Sequence, residues 1–341
     1  MNRAGAVLGL VLLLYGCASP EPLLRRHLPQ GIPVTDIELV TTPFYPQTVH
    51  QCGPAALAVT LGAAGVEVPP EVLAPQVYLP ARQGSLQAEL IAATRRHHRV
   101  AYVISSRLEA LLEELRAGHP VLVLQDLGSG MFPIWHYAVV IGYLPDSDQM
   151  ILRSGTTRRH LARAHRFVSS WRRAGYWGLV IPRPGDIPAT ADPERYLQAV
   201  ADLESTGGIR PAALAYAAAT RRWPDNPVAW LGLGNTEYRT GNLAEAARNY
   251  RAAIRVQRHF LPAYNNLAQV QAELGCYDAA LATLDGALRV HAATDPRLAD
   301  ALDLTRREID AHRAQRSGGD PPSCTGSGAP NPSGSSLHRG E

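Results

Sequence analysis

Gln51-Cys52-Gly53-Pro54-Ala55-Ala56-Leu57-Ala58-Val59-Thr60-Leu61 is the stretch from which the fold of the first half can be read. Proline two residues after the cysteine suits the first turn of a helix, where its missing N–H is not needed, so a helix starts at Cys52. Small apolar residues carry it to Ala64, and Gly65 breaks it. A thiol at that place faces the positive end of the helix dipole, which favours thiolate. Gly53 leaves the neighbouring backbone open to a substrate carbonyl. A nucleophile also needs a base. His136 is the best placed histidine, because it heads Tyr137-Ala138-Val139-Val140-Ile141-Gly142-Tyr143, an apolar run that reads as a strand and would hold the ring in a fixed position. His50 is too near the cysteine along the chain, and His97 and His98 end a helix with no further metal ligands at usable spacing.

Outward from these two segments, Ser85 is expected to cap a helix reaching about His97. Val100 to Ile104 reads as a strand, Leu108 to Ala117 as a helix, and Pro120 to Gln125 as a buried strand. Leu144-Pro145-Asp146-Ser147-Asp148 is a turn between His136–Tyr143 and Gln149–Arg153, so those strands form a hairpin, and Tyr176 to Ile181 closes the series. Helices first and an antiparallel sheet afterwards make residues 41–181 an α+β domain. The Pro-rich stretch 182–192 is a linker by composition. Beyond it three windows of 34 residues align without gaps, 193–226, 227–260 and 261–294, with Tyr196, Trp230 and Tyr264 coinciding, then Gly207, Gly241 and Gly275. Ala212, Ala246 and Ala280 coincide as well, as do Ala219, Ala253 and Ala287. An aromatic near the start, glycine at the turn and alanine where helices touch describe a helix-turn-helix repeat, similar to the tetratricopeptide repeat in length and at each position. Residues 193–316 are therefore an all-α repeat domain ending in a capping helix, and 317–341 a Gly-, Pro- and Ser-rich tail expected to be disordered.

The segments Gln47–Leu57 and Trp135–Tyr143 together resemble the two signatures of the bacteriocin-leader-processing (double-glycine) peptidases of the papain-like cysteine peptidase clan. The resemblance implies that Cys52 is the nucleophile and His136 the general acid/base of a peptide-cleaving acyl transfer. It also implies a glutamine in the oxyanion hole, six residues before the cysteine in the family. That position is Pro46 here, and Gln47 takes the role one residue later. The family's third residue is an Asp or Asn on the strand after the histidine. Here Ser154 occupies the place, able to orient the imidazole but not to stabilise imidazolium as a carboxylate would. Asp146 and Asp148 lie too far off in the turn. A degenerate domain that binds a peptide without cutting it is the alternative.

The N-terminus bears on the compartment. Arg3 and the apolar run Ala6–Leu14, too short for a permanent span, form a signal peptide over residues 1–16. Leu14-Tyr15-Gly16-Cys17 resembles the lipobox of bacterial lipoproteins, which implies lipidation of Cys17 and a tether over residues 17–40. No aspartate follows the cysteine, so the expected place is the cell envelope, on the outer membrane facing the periplasm, with the membrane itself a partner through the anchor. The remaining cysteines, Cys276 and Cys324, fit no metal pair or disulfide framework, though a bridge between them is conceivable in an oxidising compartment. No cofactor or metal is expected. The net charge of +3 gives no reason to expect nucleic acid. All 33 basic residues are arginine, which reads as coding bias, and the Arg-rich stretch Arg153–Arg173 reads as a solvated face or a surface that steers acidic substrates. The expected partners are a peptide or protein substrate and a protein held by the repeats.

Overall fold

The computed structural model describes residues 21–28, 35–46, 51–129, 131–291 and 296–315. The first half runs α1 (Leu23–His27), β1 (Ile37–Glu38), α2 (Cys52–Ala63), α3 (Pro70–Val77), β2 (Tyr78–Leu79), β3 (Gly84–Ser85) and α4 (Gln87–Arg96). It continues through β4 (Tyr102–Val103), α5 (Leu108–Arg116), β5 (Val121–Asp126), β6 (Trp135–Leu144), β7 (Gln149–Ser154), β8 (Thr157–Arg163), α6 (Ala164–Arg173) and β9 (Gly178–Val180). Six strands form an antiparallel row in the order β4-β9-β5-β6-β7-β8, and β1 pairs with the far end of β6.

Strand periodicity divides the core in two. Val139 and Ile141 of β6 and Leu122 of β5 face a cluster with Leu57, Leu61, Leu73 and Leu90 from the helices that start with α2. Ala138, Val140, Val121 and Val123 face the opposite cluster, with Leu111, Leu115, Phe167 and Trp171 from α5 and α6. Both faces of β5 and β6 are covered, which is why these strands read as unbroken apolar runs and not as alternating ones. Ser85 does not cap a helix. It ends β3, opposite Tyr78, and α4 begins after Leu86 with no side-chain cap.

Three antiparallel helix pairs follow, α7 (Pro193–Ser205) with α8 (Ile209–Arg222), α9 (Pro227–Arg239) with α10 (Leu243–Val256), and α11 (Leu261–Glu273) with α12 (Tyr277–His291); α13 (Pro296–Gln315) packs on the last pair. The turn glycines Gly207, Gly241 and Gly275 have φ of +90°, +82° and +81°, a conformation costly for any residue with a Cβ. Cys276 is held in a disulfide whose partner lies outside the described residues.

The compositional linker is clasped to the first domain. Buried Glu114 of α5 accepts the amides of Ala189 (3.1 Å) and Thr190 (2.8 Å), the Thr190 hydroxyl (2.6 Å) and His119 Nδ1 (2.7 Å). Tyr102 Oη donates to the Thr190 carbonyl and accepts the Asp192 amide. Beyond the linker, Arg95 of α4 pairs with Asp202 of α7 at 2.5 Å. Burial alone would push the Glu114 carboxyl up, but its bonds from His119 and Thr190 outweigh that and hold it below the ordinary carboxylate range. A carboxyl whose folded-state pKa is depressed stabilises the fold above its unfolded pKa and loses that contribution as pH falls through the folded value, so the clasp loosens only below about pH 4. Glu114→Ala strands its donors, and the expected loss is about 3 kcal/mol in urea unfolding at neutral pH.

Candidate active site

Helix α2 opens at Cys52, with Gly53 and Pro54 buried in its first turn. Strand β6 brings His136 and Tyr137 to the cleft that Cys52 lines, with the Tyr137 backbone near enough to draw the thiol pKa down. On the far side of the ring, Ser154 at the end of β7 places its Oγ 2.9 Å from His136 Nε2. With the proton on Nε2 the ring donates to Ser154 and Nδ1 is left as an acceptor; with the proton on Nδ1 the Ser154 hydroxyl donates to Nε2 instead. Cys52 and His136 line one cleft of about 1010 Å³, and Ser154 lies behind the imidazole. Gln47, His50 and Cys17 fall outside the described residues. Asp146 and Asp148 are engaged elsewhere: Arg25 of α1 pairs with Asp146, and the Leu24 amide donates to Asp148 Oδ1 at 3.0 Å.

One wall of the cleft is the backbone from Arg82 to Gln87, which includes β3; the other carries Trp135, His136, Gly155 and Arg173. The first wall sits against the helix start because residue 53 is glycine. A Cβ there would fall 2.3 Å from Ser85 Oγ and 2.6 Å from Ser85 Cβ. Tyr137 Oη holds the same segment by donating to the Ser85 carbonyl at 3.2 Å. Gly53→Ala is therefore expected to displace β3 and, in any peptide turnover at this cleft, to lower the rate about 100-fold, since misplacement by about 1 Å has that order of effect. Adding Ser85→Gly, which removes the opposing atoms, should restore most of it in the same assay.

Charge in the site is set by burial. Desolvation pushes the Cys52 thiol up, and the amides of Tyr137, Gly53 and Cys52 itself pull it down without overcoming that rise. The thiolate expected from the helix start is thus outweighed, for a reason that local sequence cannot express. Burial also pushes the His136 imidazole down, with the nearby His160 adding to the shift. Burial thus favours the uncharged form of both groups. Alkylation of Cys52 by iodoacetamide should accordingly keep rising beyond about pH 8.5, with no plateau at pH 5 of the kind an ion pair gives.

The loop between β5 and β6 is fixed by a group that sequence patterns did not single out. Buried Asp126 accepts the amides of Gly128 (2.8 Å) and Ile134 (3.0 Å) and pairs with Arg173 (3.3 Å). The Gly128 amide and these partners hold its carboxyl below the usual range. The loop it ties exposes Met131, Phe132 and Ile134 and delivers Trp135 to the cleft. The partners are 47 residues apart, so only the tertiary fold reveals them. Among the described residues, no group of three or more His, Cys, Asp or Glu side chains is placed to hold a metal ion, and no helix is long and apolar enough to cross a membrane.

Comparison with known proteins agrees with this architecture. Residues 40–178 match the Peptidase_C39 like family, and residues 197–259 and 234–296 match the tetratricopeptide repeat. Among solved structures, the chain is similar to a C39-like peptidase from Bacillus anthracis, at 17% identity and TM-score 0.38, covering 44% of this chain and 98% of that one. It is similar to the peptidase domain of Streptococcus ComA, a bi-functional ABC transporter of a quorum-sensing pathway, at 20% identity and TM-score 0.35, covering 42% and 99%. It is also similar to the TPR2B domain of yeast Sti1, at 21% identity and TM-score 0.34, covering 36% of this chain and 98% of that one. Comparison with curated proteins gives no match. Residues 40–178 are a Peptidase_C39-like domain of α+β fold, and the helices that follow are tetratricopeptide repeats.

Proposed function

We propose that the chain is a cysteine peptidase in which the Cys52 thiol, giving its proton to His136, attacks a peptide carbonyl. The observation that carries this reading is that Cys52 and His136 line one cleft, with a hydrogen bond to Ser154 orienting the imidazole. His136 then protonates the leaving amine, and water, activated by the same ring, hydrolyses the thioester. The amide at the start of α2 and the side chain of Gln47 would hold the oxyanion. The repeats would recruit substrate or partner along a groove of about 230 Å³ that includes Asn235, Tyr238, Asn266 and Gln269. Lipid on Cys17 would keep the enzyme in the cell envelope, on the outer membrane facing the periplasm.

A second reading, a peptide-binding adaptor without turnover, is favoured by Ser154 standing where the resemblance implies a carboxylate or amide. A thiol-directed electrophilic peptide probe separates the two. Labelling that Cys52→Ala abolishes is the expected result; absence of Cys52-dependent labelling in a folded chain sinks the enzyme. The anchor is tested separately, by incorporation of an alkynyl fatty acid that Cys17→Ser should abolish.

A further inference from the structure

Between Asp148 and Asp186 the chain holds no carboxylate, and seven arginines fall between Arg153 and Arg173. Three are committed to the fold. Arg153 is buried and donates to the carbonyls of Val40, Thr42 and Arg158. Arg159 grips Glu38 with two nitrogens, and Arg173 locks Asp126. The other four, Arg158, Arg163, Arg166 and Arg172, are exposed and make no ion pair among the described residues.

Their placement follows the path of the chain. Strand β8 starts next to Gly155 on the cleft lip and runs away from it to Arg163; α6 then returns, ending at Arg173 on the same lip. Both limbs of this hairpin-like excursion carry unpaired guanidinium groups, so the band of positive charge terminates at the cleft. Arg82 projects from the opposite wall, also exposed and with no ion pair among the described residues. Among the described residues, no carboxylate lines the cleft. Arg173 on the other wall is neutralised by Asp126, so the positive field in this concave, partly apolar groove comes from Arg82 and from the four exposed arginines beyond its lip. The guanidinium fork matches a carboxylate in two hydrogen bonds.

We propose that the cleft selects acidic peptides: Arg82 seats an Asp or Glu side chain near the bond to be cut, while Arg158, Arg163, Arg166 and Arg172 draw the acidic segment in. This rests on the peptidase reading for its consequence but not for its measurement. An anionic lipid surface is the competing occupant of a basic band. The cleft-wall position of Arg82 favours the peptide, because a flat bilayer does not reach into a groove.

The test uses the full chain carrying Cys52→Ser, which binds without turnover. Fluorescent decapeptides identical except for central Glu, Gln or Lys residues are titrated by anisotropy at about 0.05 and 0.5 M salt, which brackets strong and weak screening. The Glu peptide should bind about tenfold more tightly than the Gln peptide at low salt. High salt should erase that preference, and Arg82→Glu should remove or invert it. Equal affinities, no binding of the Glu peptide, or a preference untouched by Arg82→Glu overturns the proposal. So does binding to phosphatidylglycerol vesicles that Arg158→Glu with Arg166→Glu removes, if no peptide discrimination accompanies it. Cleavage of matched peptides by the unmodified chain separates this from the parent reading. Cys52-dependent cutting without acidic preference leaves a peptidase and removes the selectivity; selective binding with no cutting does the reverse.

Discussion

His136→Ala is expected to lower kcat/KM toward a quenched peptide by about 10³-fold or more, since in the proposed mechanism it removes the group that both takes the thiol proton and returns one to the leaving amine. Ser154→Ala should cost far less, on the order of tenfold, because the ring keeps its place on β6 and loses only the hydroxyl at 2.9 Å from Nε2. Ser154→Asp is the informative change. A carboxylate there favours imidazolium, so the His136 pKa moves up from its depressed position, and the acid limb of the kcat/KM profile moves to higher pH. Turnover in the neutral range should rise at the same time. A profile that does not move for Ser154→Asp would mean that the bond to Nε2 plays no part in catalysis. Comparing the three variants therefore measures how much activity the serine at this place forgoes.

Tyr196→Ala is expected to cost about 3–5 kcal/mol, the range for large-to-small changes at closed sites. Tyr196 belongs to α7 of the repeats and is 0% exposed, in one cluster with Tyr102, Ile104, Leu108 and Leu111 of the first domain. Its ring lies 6.4 Å from that of Tyr102 and 5.6 Å from that of Trp223. Because a single core spans both halves, the destabilisation should reach both together. Urea unfolding followed at tryptophans of the first domain, Trp171 and Trp177, and at Trp230 in the repeats should give one transition, displaced equally by the mutation. Two separate transitions would show that the halves unfold independently in spite of the shared packing. Truncation after residue 187 would expose Tyr102 and Ile104, and the isolated first domain is expected to be less stable than the whole chain.

The parts of this architecture that were legible in the sequence are those governed by local rules. Pro54 marks a helix start, the turn at Pro145 joins β6 to β7, and a 34-residue period needs only repetition to be seen. The segments that escaped are short, take their identity from distant neighbours, or, like β8 and α6, lie in the Arg-rich stretch whose charge conceals the buried Phe167 and Trp171. Helix α3 has eight residues and β2 and β3 two each, too few for a period to register. Ser85 looked like a helix cap because its chemistry suits one, but its position is decided by the absence of a Cβ on Gly53, 32 residues earlier. The thiol shows the same limit from another side. The helix terminus that lowers its pKa is local and readable, whereas the burial that raises it more is a property of the assembled cleft. Resemblance and strand order point to Ser154, and its bond to His136 depends on how β6 and β7 pair.

The clasp around Glu114 has a consequence for how this protein would behave under genetic selection. A screen for lost proteolysis would return lesions at Glu114, Tyr102, Arg95 and Asp202, positions that lie outside the cleft and hold the linker and the first repeat against the first domain. Such alleles would be temperature-sensitive, and suppressors would arise in the opposite half of the chain. Deleting the repeats to obtain a minimal enzyme would then be confounded, because lost recruitment and lost folding would give the same phenotype.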